Sequence, residues 1–311
     1  MRSGMEEVRK IRETIGSFFV GKEDVIDHML ICLIGGGHVL LEDVPGIGKT
    51  TLARCFAQVI SASFGRLQFT PDTLPGDVVG VSVYNSASGR FEYRPGVIMH
   101  QILLADEINR TSPKTQASLL EAMAEGQVTV DGQTHPLPQP FLVIATQNPN
   151  EYIGTYPLPE AQLDRFMMRL SVGYPERSQE LKMAAMFLEG ASAERLPAVC
   201  EAERIAQIRA EAEQVQVKES VLGYLQDIVE LTRREPRFLT GASPRALLSL
   251  LRAAQARAYL EEREYVIPDD IKQLAVPVLA HRLVLTPEAR IGREDVAAIV
   301  RELVLKAKVP V

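Results

Sequence analysis

The chain has 311 residues and a formal net charge of −6, with 46% hydrophobic and 24% charged residues. These fractions are typical of soluble globular proteins and exclude a low-complexity, collagen-like or wholly disordered chain. The acidic balance argues against a surface that coats DNA or RNA, because such surfaces are normally basic. It does not exclude nucleic acid that passes through a narrow local channel. The length allows one large domain or two modest ones.

No apolar run approaches the roughly 18 residues that span a bilayer. The longest candidate, residues 25–41, is interrupted by Asp27 and by the triple glycine 35–37. The first ten residues lack the apolar core of a secretory signal. We therefore expect a cytoplasmic protein without a membrane span.

The cysteines are odd in number, far apart in the sequence and embedded in apolar stretches. Cys32, Cys55 and Cys200 form no C-x-x-C motif. We expect them to be buried, reduced thiols.

In the first part of the chain, short apolar runs alternate with helical stretches. Such alternation predicts a parallel sheet covered by helices on both faces. The predicted buried strands are His38–Leu41, Leu67–Phe69, Ile102–Ala105 and Leu142–Ala145.

Two further segments of this part are predicted to be β-hairpins. Residues 81–94 alternate on both sides of a polar turn, and residues 127–138 carry Asp131-Gly132 between alternating runs. An Asp-Gly pair between alternating runs is a strong hairpin signal.

The second part is more densely charged and is predicted to consist of long amphipathic helices, for example Val217–Arg233, Pro244–Glu261 and Arg293–Lys306. A boundary near Tyr174-Pro175 fits both changes. We expect an α/β core in residues 1–175 and a smaller all-α domain in residues 176–311. No long Gly/Ser linker separates them, so the two parts should pack together.

The sharpest local signal is the segment DVPGIGKT at residues 43–50. It follows an apolar strand and precedes the helical stretch Thr51–Val59, which is the context of a phosphate-binding P-loop. Glycines let backbone N–H groups face a phosphate, and the helix N-terminus adds partial positive charge. The predicted nucleotide-binding residues are Val44, Pro45, Gly46, Ile47, Gly48, Lys49, Thr50 and Thr51.

Within this loop, Lys49 is expected to reach the β- and γ-phosphates and the Thr50 hydroxyl to bind Mg²⁺. The P-loop pattern places a glycine where this chain has Asp43. An aspartate can hold such a turn through its own side chain.

Polar side chains end the two later strands of the predicted sheet. Asp106 and Glu107 follow one strand, and Asn148 follows the next. We expect Asp106 to hold the hydrated Mg²⁺, and Glu107 to orient and polarise the attacking water. In a parallel sheet Asn148 would lie beside Asp106, where it could hold that water or the γ-phosphate.

Together these motifs resemble the AAA+ ATPases and, more closely, the MoxR branch of that superfamily. The P-loop alone is common to the superfamily, but the combination of passages is highly specific and covers about residues 15–260. The passages that carry the resemblance are residues 36–50, 69–78, 104–110 (LADEINR), 121–126 (EAMAEG), 145–149 (ATQNP), 157–166 (PLPEAQLDRF) and 241–247 (GASPRAL).

The resemblance implies roles for further residues. Arg165 matches the arginine that reaches the γ-phosphate of a neighbouring subunit, with Arg110 and Arg169 as alternatives. Arg245 matches the second-domain arginine that senses the γ-phosphate, which we expect to act on the nucleotide of its own chain. Val20 and Gly21 resemble the segment beside the adenine base, and the two hairpins match insertions that face the central pore.

The implied function is Mg-dependent ATP hydrolysis by a homo-oligomeric ring, expected to be a hexamer. Such a ring would act as a chaperone-like remodeller of a protein client, often with a von Willebrand factor A domain partner. A metal-chelatase ATPase subunit is an alternative. A nucleic-acid motor is a weaker one, because we find no basic or aromatic hairpin tip.

Overall fold

The structure is a computed structural model that describes residues 2–148 and 154–310. The strands are β1 (Val39–Glu42), β2 (Phe64–Gln68), β3 (Gly80–Asn85), β4 (Arg90–Pro95), β5 (Ile102–Asp106), β6 (Gln127–Val130), β7 (Gln133–Pro136), β8 (Leu142–Gln147), β9 (Met168–Leu170), β10 (Phe238–Thr240) and β11 (Val284–Leu285). The helices are α1 (Arg2–Phe18), α2 (Glu23–Ile34), α3 (Lys49–Val59), α4 (Pro75–Val79), α5 (Pro113–Glu125), α6 (Glu160–Leu163), α7 (Arg177–Leu188), α8 (Ala202–Glu213), α9 (Glu219–Arg234), α10 (Pro244–Leu260), α11 (Pro268–Leu279), α12 (Pro287–Ile291) and α13 (Val296–Lys306). Three short 3-10 helices lie at 108–110, 193–195 and 280–282.

A five-stranded sheet forms the centre of the first part, with strand order β2-β5-β8-β1-β9. Every neighbouring pair is parallel. The four strands predicted from apolar runs are confirmed, with shifted ends. The fifth strand, β9, was not predicted.

Helices cover both faces of this sheet. Successive residues of a strand point to opposite faces. Leu104 accordingly packs into a core with residues of α2 and α3, and Leu103 packs into a second core with residues of α5. The α/β class predicted from the sequence is confirmed.

Both predicted hairpins are present, as β3–β4 and β6–β7. The turn of the first hairpin, residues 86–89, contains no aromatic residue, as predicted, and Asn85 and Arg90 flank it. Tyr84 and Phe91 form the cross-strand pair next to Asn85 and Arg90, with ring centroids 5.4 Å apart in an edge-to-face arrangement. Tyr84 is 57% exposed and Phe91 is 72% exposed, so the hairpin presents an aromatic pair to its surroundings.

The second part is helical, as predicted, apart from the small β10–β11 ribbon. Its helices α8 and α10 pack on α1 and α2 of the first part. One apolar core therefore runs from the sheet into the helical domain. Neither part is an independent unit tethered by a linker, which agrees with the expectation from the sequence.

The cysteine expectation holds for two of three side chains. Cys32 and Cys55 are buried, whereas Cys200 is only half-buried. Burial raises the pKa of the Cys55 thiol to about 12 and that of Cys200 to about 11. Thiols with such pKa values are unreactive near neutral pH. In the part of the chain that the structure describes, no helix is both long and apolar enough to cross a membrane.

Candidate nucleotide site

The loop after β1 has the backbone shape of an anion-binding turn. Gly46 and Gly48 adopt φ angles of 87° and 90°, which side chains other than glycine rarely allow. Helix α3 begins at Lys49, and no side chain caps its N-terminus. Its first N–H groups are therefore available to an anion, which fits a phosphate.

Lys49 lies folded over this loop. Its Nζ donates to the backbone oxygen of Asp43 at 2.8 Å and to that of Val44 at 3.3 Å. Burial lowers the pKa of Lys49, and the charges of Asp43, Asp106 and Glu107 oppose that shift. The structure thus brings the predicted lysine and both predicted acids into one electrostatic environment.

The two acids end β5 and are tied to β8 by one threonine. Thr146 Oγ1 donates to Asp106 Oδ1 at 2.7 Å and accepts the backbone N–H of Glu107 at 2.9 Å. Arg66 on β2 contacts the other oxygen of Asp106 at 2.8 Å. Thr146 and Arg66 were not singled out from the sequence, although each lies in a strand that adjoins β5.

Glu107 is held in an unusual conformation. Its φ angle is 56°, in the left-handed region that costs a non-glycine residue energy and often marks a functional site. Its Oε2 atom accepts from Gln68 Nε2 at 2.7 Å and lies 3.0 Å from Arg110 Nε. Arg110 therefore pairs with the acid of its own chain.

Asn148 lies where the sequence predicted. Strand β8 lies between β5 and β1, and Asn148 follows it directly. The residue is buried and stands between the acid pair and the P-loop at the carboxyl edge of the sheet. This is a position from which an amide can contact groups bound at either side.

The residues at this edge fit a magnesium ion bound through nucleotide phosphates. Mg²⁺ is usually held by one or two carboxylates, with phosphates and waters completing its shell. Thr50 and Asp106 supply a hydroxyl and a carboxylate of that kind. Among residues 2–148 and 154–310 no cluster of three or more His, Cys, Asp or Glu side chains forms a site for a protein-caged metal.

Beside the P-loop lies a cavity of about 580 Å³. The predicted residues Val20, Pro45, Gly46, Ile47, Gly48 and Thr51 line it. Val44, Gly21, Lys49 and Thr50 are not among its lining residues, and Gly21 adjoins it through Val20 and Lys22. The sequence interpretation missed most of the apolar lining, which includes Phe18, Phe19, Tyr174, Met183, Met186 and Phe187.

This apolar cavity has the character of a site for a nucleotide base. Its outer wall is the segment 171–188, which we call the wall segment. It consists of residues 171–176, which follow β9, and of helix α7. Lys22 Nζ donates to the backbone oxygen of Tyr174 at 2.9 Å, and Gln179 Nε2 donates to the backbone oxygen of Gly21 at 3.3 Å. Helix α7 buries no residue of its own, and its Phe187 is 80% exposed.

Asp43 does not act as the sequence suggested. From the sequence, its side chain was expected to hold the turn of the P-loop. Instead, the carboxylate accepts from Ser171 Oγ at 2.7 Å and from the N–H groups of Val172 and Gly173 at 2.5 and 3.2 Å. It therefore joins the P-loop to the wall segment.

The predicted inter-subunit arginine lies at the other edge of the sheet. Arg165 precedes β9, which runs parallel to β1, so it lies at the amino edge while Lys49 lies at the carboxyl edge. Its guanidinium donates to the backbone oxygen of Leu120 in α5. The alternative Arg169 pairs with Glu42 at 3.2 Å inside the sheet.

Arg245 lies on the same side as Arg165. Its Nη1 is 3.7 Å from Asp164 Oδ2, and Ser243 Oγ contacts the same carboxylate at 3.2 Å. This contact places Arg245 beside Asp164, before β9, whereas the P-loop of the same chain follows β1. Its predicted action on the nucleotide of its own chain stays a prediction. Arg245 is, as predicted, at the start of a helix, after Pro244 of α10.

A further arginine was missed by the sequence interpretation. Arg282 is buried, donates to Asp164 Oδ1 at 3.1 Å and to the Phe166 oxygen at 2.7 Å. Burial lowers its pKa to about 10. An arginine within the apolar run 276–285 was the available signal. Asp164 therefore links the segment of Arg165 to two arginines of the helical domain.

Comparison with known proteins gives matches along most of the chain. Family models match residues 38–168 as an ATPase family associated with various cellular activities and residues 230–303 as an AAA lid domain. "Chaperone MoxR1" of Mycobacterium tuberculosis is 39% identical over 87% of this chain and 74% of its own length. "Uncharacterized protein YeaC" of Bacillus subtilis is 52% identical over 97% and 94%. The crystal structure of a candidate ATPase from Cytophaga hutchinsonii superposes with a TM-score of 0.92 at 37% identity, covering 99% of this chain and 96% of that one.

Proposed function

The chain belongs to the MoxR family of AAA+ ATPases, and on that premise we propose that it hydrolyses Mg-ATP as a ring of identical subunits. We further propose that hydrolysis drives chaperone-like remodelling or activation of a protein client. Residues 1–175 would be the catalytic core and residues 176–311 the helical lid.

One observation carries the proposal of hydrolysis. The uncapped start of α3, the amine of Lys49 and the carboxylates of Asp106 and Glu107 converge at the carboxyl edge of one parallel sheet. Helix N-terminus and amine favour an anion, whereas two adjacent carboxylates favour a cation and a polarised water. A phosphate chain with a divalent cation satisfies both demands.

Each of these groups has a role in this proposal. The P-loop amides and Lys49 bind and orient the β- and γ-phosphates. Thr50 and Asp106 would hold Mg²⁺, which would neutralise charge on the phosphate oxygens. Glu107 orients the attacking water and takes up its proton, while Asn148 positions that water or the γ-phosphate. Val20 and Gly21 lie beside the base.

The positions of the arginines favour an active site shared between subunits. Arg165 and Arg245 lie at the edge of the sheet opposite Lys49, so neither serves the P-loop of its own chain in this arrangement. In a ring the amino edge of one subunit would face the carboxyl edge of the next. We propose that Arg165 and Arg245 act together on the neighbour's γ-phosphate, and that the ring is a hexamer.

We propose a protein as the client. The name of the M. tuberculosis relative supports a chaperone role, and a von Willebrand factor A domain protein is the partner that we propose. The exposed aromatic pair Tyr84–Phe91 gives the first hairpin an apolar contact surface for a protein segment. We propose the cytoplasm as the location.

Two other functions make different predictions. Exposed aromatic side chains can also stack on bases, so the Tyr84–Phe91 pair favours a nucleic-acid motor more than the sequence suggested. The net charge of −6 opposes that function. Stimulation of turnover by DNA would support the motor. Stimulation of metal insertion into a tetrapyrrole, with a partner subunit, would support a chelatase.

The test compares two variants as bait. Glu107→Gln should bind ATP and retain the client, because the charge of the P-loop is intact while the base is lost. Lys49→Ala should bind neither, because the β- and γ-phosphates lose their main counterion. An ATP titration in which Lys49→Ala binds as tightly as the natural protein would refute the site. Lys114→Ala, a change of an exposed lysine in α5, is the matched control.

A further inference from the structure

Asp43 occupies the position at which the P-loop pattern has a glycine, and its contacts extend in three directions. Its backbone N–H donates to the Gln147 oxygen at 3.3 Å, at the end of β8. Its backbone oxygen accepts from Lys49 Nζ at 2.8 Å. Its carboxylate receives the three donors of residues 171–173. A glycine could make the first two contacts but not the third.

The carboxylate is a well-built anchor. Asp43 is only 8% exposed, and two backbone N–H groups and one hydroxyl converge on it. Hydrogen bonds to a charged acceptor are about twice as strong as those between neutral groups. The three donors are consecutive in sequence, so together they fix the direction in which the chain leaves β9.

That direction determines where the base-side wall stands. Val172, Gly173, Tyr174 and Pro175 line the cavity, and α7 follows with Met183, Met186 and Phe187. Helix α7 has no buried residue that would hold it in place by packing. Its position therefore depends on polar anchors at its start, of which Asp43 is the one inside the P-loop.

We propose that Asp43 is a positioning residue that sets the wall segment against the P-loop, so that the base pocket is formed before the nucleotide arrives. The proposal rests on the proposed function in that the ligand is ATP. A pocket that is correctly formed for only a fraction of the time binds its ligand more weakly by that same fraction. Loss of the anchor should weaken recognition of the base and leave recognition of the phosphates intact.

The test uses Asp43→Gly, which restores the residue of the P-loop pattern. Binding of Mg-ATP and of Mg-tripolyphosphate, which has no base, is measured by calorimetry on the full chain. We expect ATP to bind about tenfold more weakly and tripolyphosphate to bind within twofold of the natural protein. The KM for ATP should rise by a larger factor than kcat falls, because Lys49, Asp106 and Glu107 are retained.

A second readout does not involve nucleotide. In the nucleotide-free protein the amide hydrogens of Val172 and Gly173 should exchange at least tenfold faster in the variant, while amides of β5 are unaffected. Asp43→Asn keeps the size and one acceptor oxygen, so both effects should be intermediate. It also replaces Asp43→Gly if that variant does not fold.

Three results would overturn the proposal. One is equal loss of ATP and tripolyphosphate affinity, which would place the effect in the phosphate loop. The others are unchanged ATP affinity and unchanged exchange at residues 172 and 173. If the natural protein binds neither ligand, the proposed function fails instead, and the exchange experiment still tests the anchor.

Discussion

The side-chain amide of Gln68 donates a 2.7 Å hydrogen bond to Oε2 of Glu107, the carboxylate oxygen that also faces Arg110. This oxygen of Glu107 is thus already contacted by two donors. For this oxygen to take a proton from water, Glu107 must give up at least one of these partners.

Replacing Gln68 by alanine should therefore raise the basal ATPase rate. One hydrogen bond contributes about 0.5–1.5 kcal/mol, which corresponds to a rate increase of roughly 2- to 10-fold. Steady-state phosphate release without any client measures the change, with Gln58→Ala, a glutamine of α3, as control. A fall in rate would mean that Gln68 holds Glu107 in its productive position.

Changes of the acid pair should separate chemistry from binding. Glu107→Gln keeps the shape of the side chain but removes the base, so turnover should fall by about 10²-fold or more while ATP affinity persists. Asp106→Asn removes a carboxylate from the proposed metal site, so a higher Mg²⁺ concentration should be needed for half-maximal turnover. Magnesium titrations of both variants check this, and an unchanged requirement in Asp106→Asn would show that the pair was misassigned.

Arg165→Ala should bind ATP but lose turnover, because Lys49 remains and the neighbour's γ-phosphate loses its arginine. An arginine supplied by a neighbouring protein contributes roughly 10³–10⁵ in rate in other phosphoryl-transfer systems. In the natural protein, specific activity should rise with protein concentration, since association completes each site. Arg252→Ala, a change of an exposed arginine in α10, is the control.

A mixing experiment sharpens this prediction. Mixed rings of Arg165→Ala and Lys49→Ala subunits contain interfaces with an intact P-loop facing an intact Arg165, and these should regain activity. Full turnover by Arg165→Ala at every protein concentration would contradict the shared site.

Arg282→Met should destabilise the protein, because Asp164 would remain at the domain junction without its buried partner. Removing one member of a buried ion pair costs about 3–5 kcal/mol, and Arg282 also donates to the Phe166 backbone. The free energy of unfolding in urea measures the loss. In an Asp164→Asn background the same change should cost less, since the carboxylate that needs the arginine is then absent.

Stability should also fall as the pH drops from about 6.5 towards 4. Burial lowers the pKa of His38 to about 4 and that of His281 to about 3. Below its ordinary value of roughly 6.5, a histidine takes a proton in the unfolded chain but not in the folded one. At pH 5 this costs roughly 2 kcal/mol for each histidine. Urea unfolding at pH 7 and pH 5 measures the difference, which should be smaller in His38→Asn.

The sequence predicted those elements that have strong local signals. Ile102–Ala105 and Leu142–Ala145 are apolar runs bounded by polar residues, and both are central strands. Strand β9 was missed because it has only three residues, at the edge of the sheet, and one of them is charged. Asp131-Gly132 marked its hairpin because an Asp-Gly turn depends on neighbours in sequence.

The candidate site divides in the same way. Asp106, Glu107 and Asn148 stand at strand ends, and Lys49 follows β1 through the P-loop. The parallel sheet brings the ends of its strands together, so the proximity of these residues followed from the pattern. The base-side cavity could not be predicted, because its lining comes from three separate stretches and consists of ordinary apolar residues. The partners of Asp43 are 128–130 residues away, so no local pattern contains them.

Residues 164–173 contain strand β9 and contact a different part of the molecule at each end. At the start of this segment, Asp164 and Arg165 lie at the face proposed to meet the next subunit, and at its end Ser171 to Gly173 are bonded to Asp43 of the P-loop. Between these ends, Met168–Leu170 of β9 pair with β1, the strand that leads into the P-loop. In a closed ring this segment would couple consecutive ATP sites. The order in which the sites hydrolyse ATP would then depend on these ten residues rather than on the subunit as a whole.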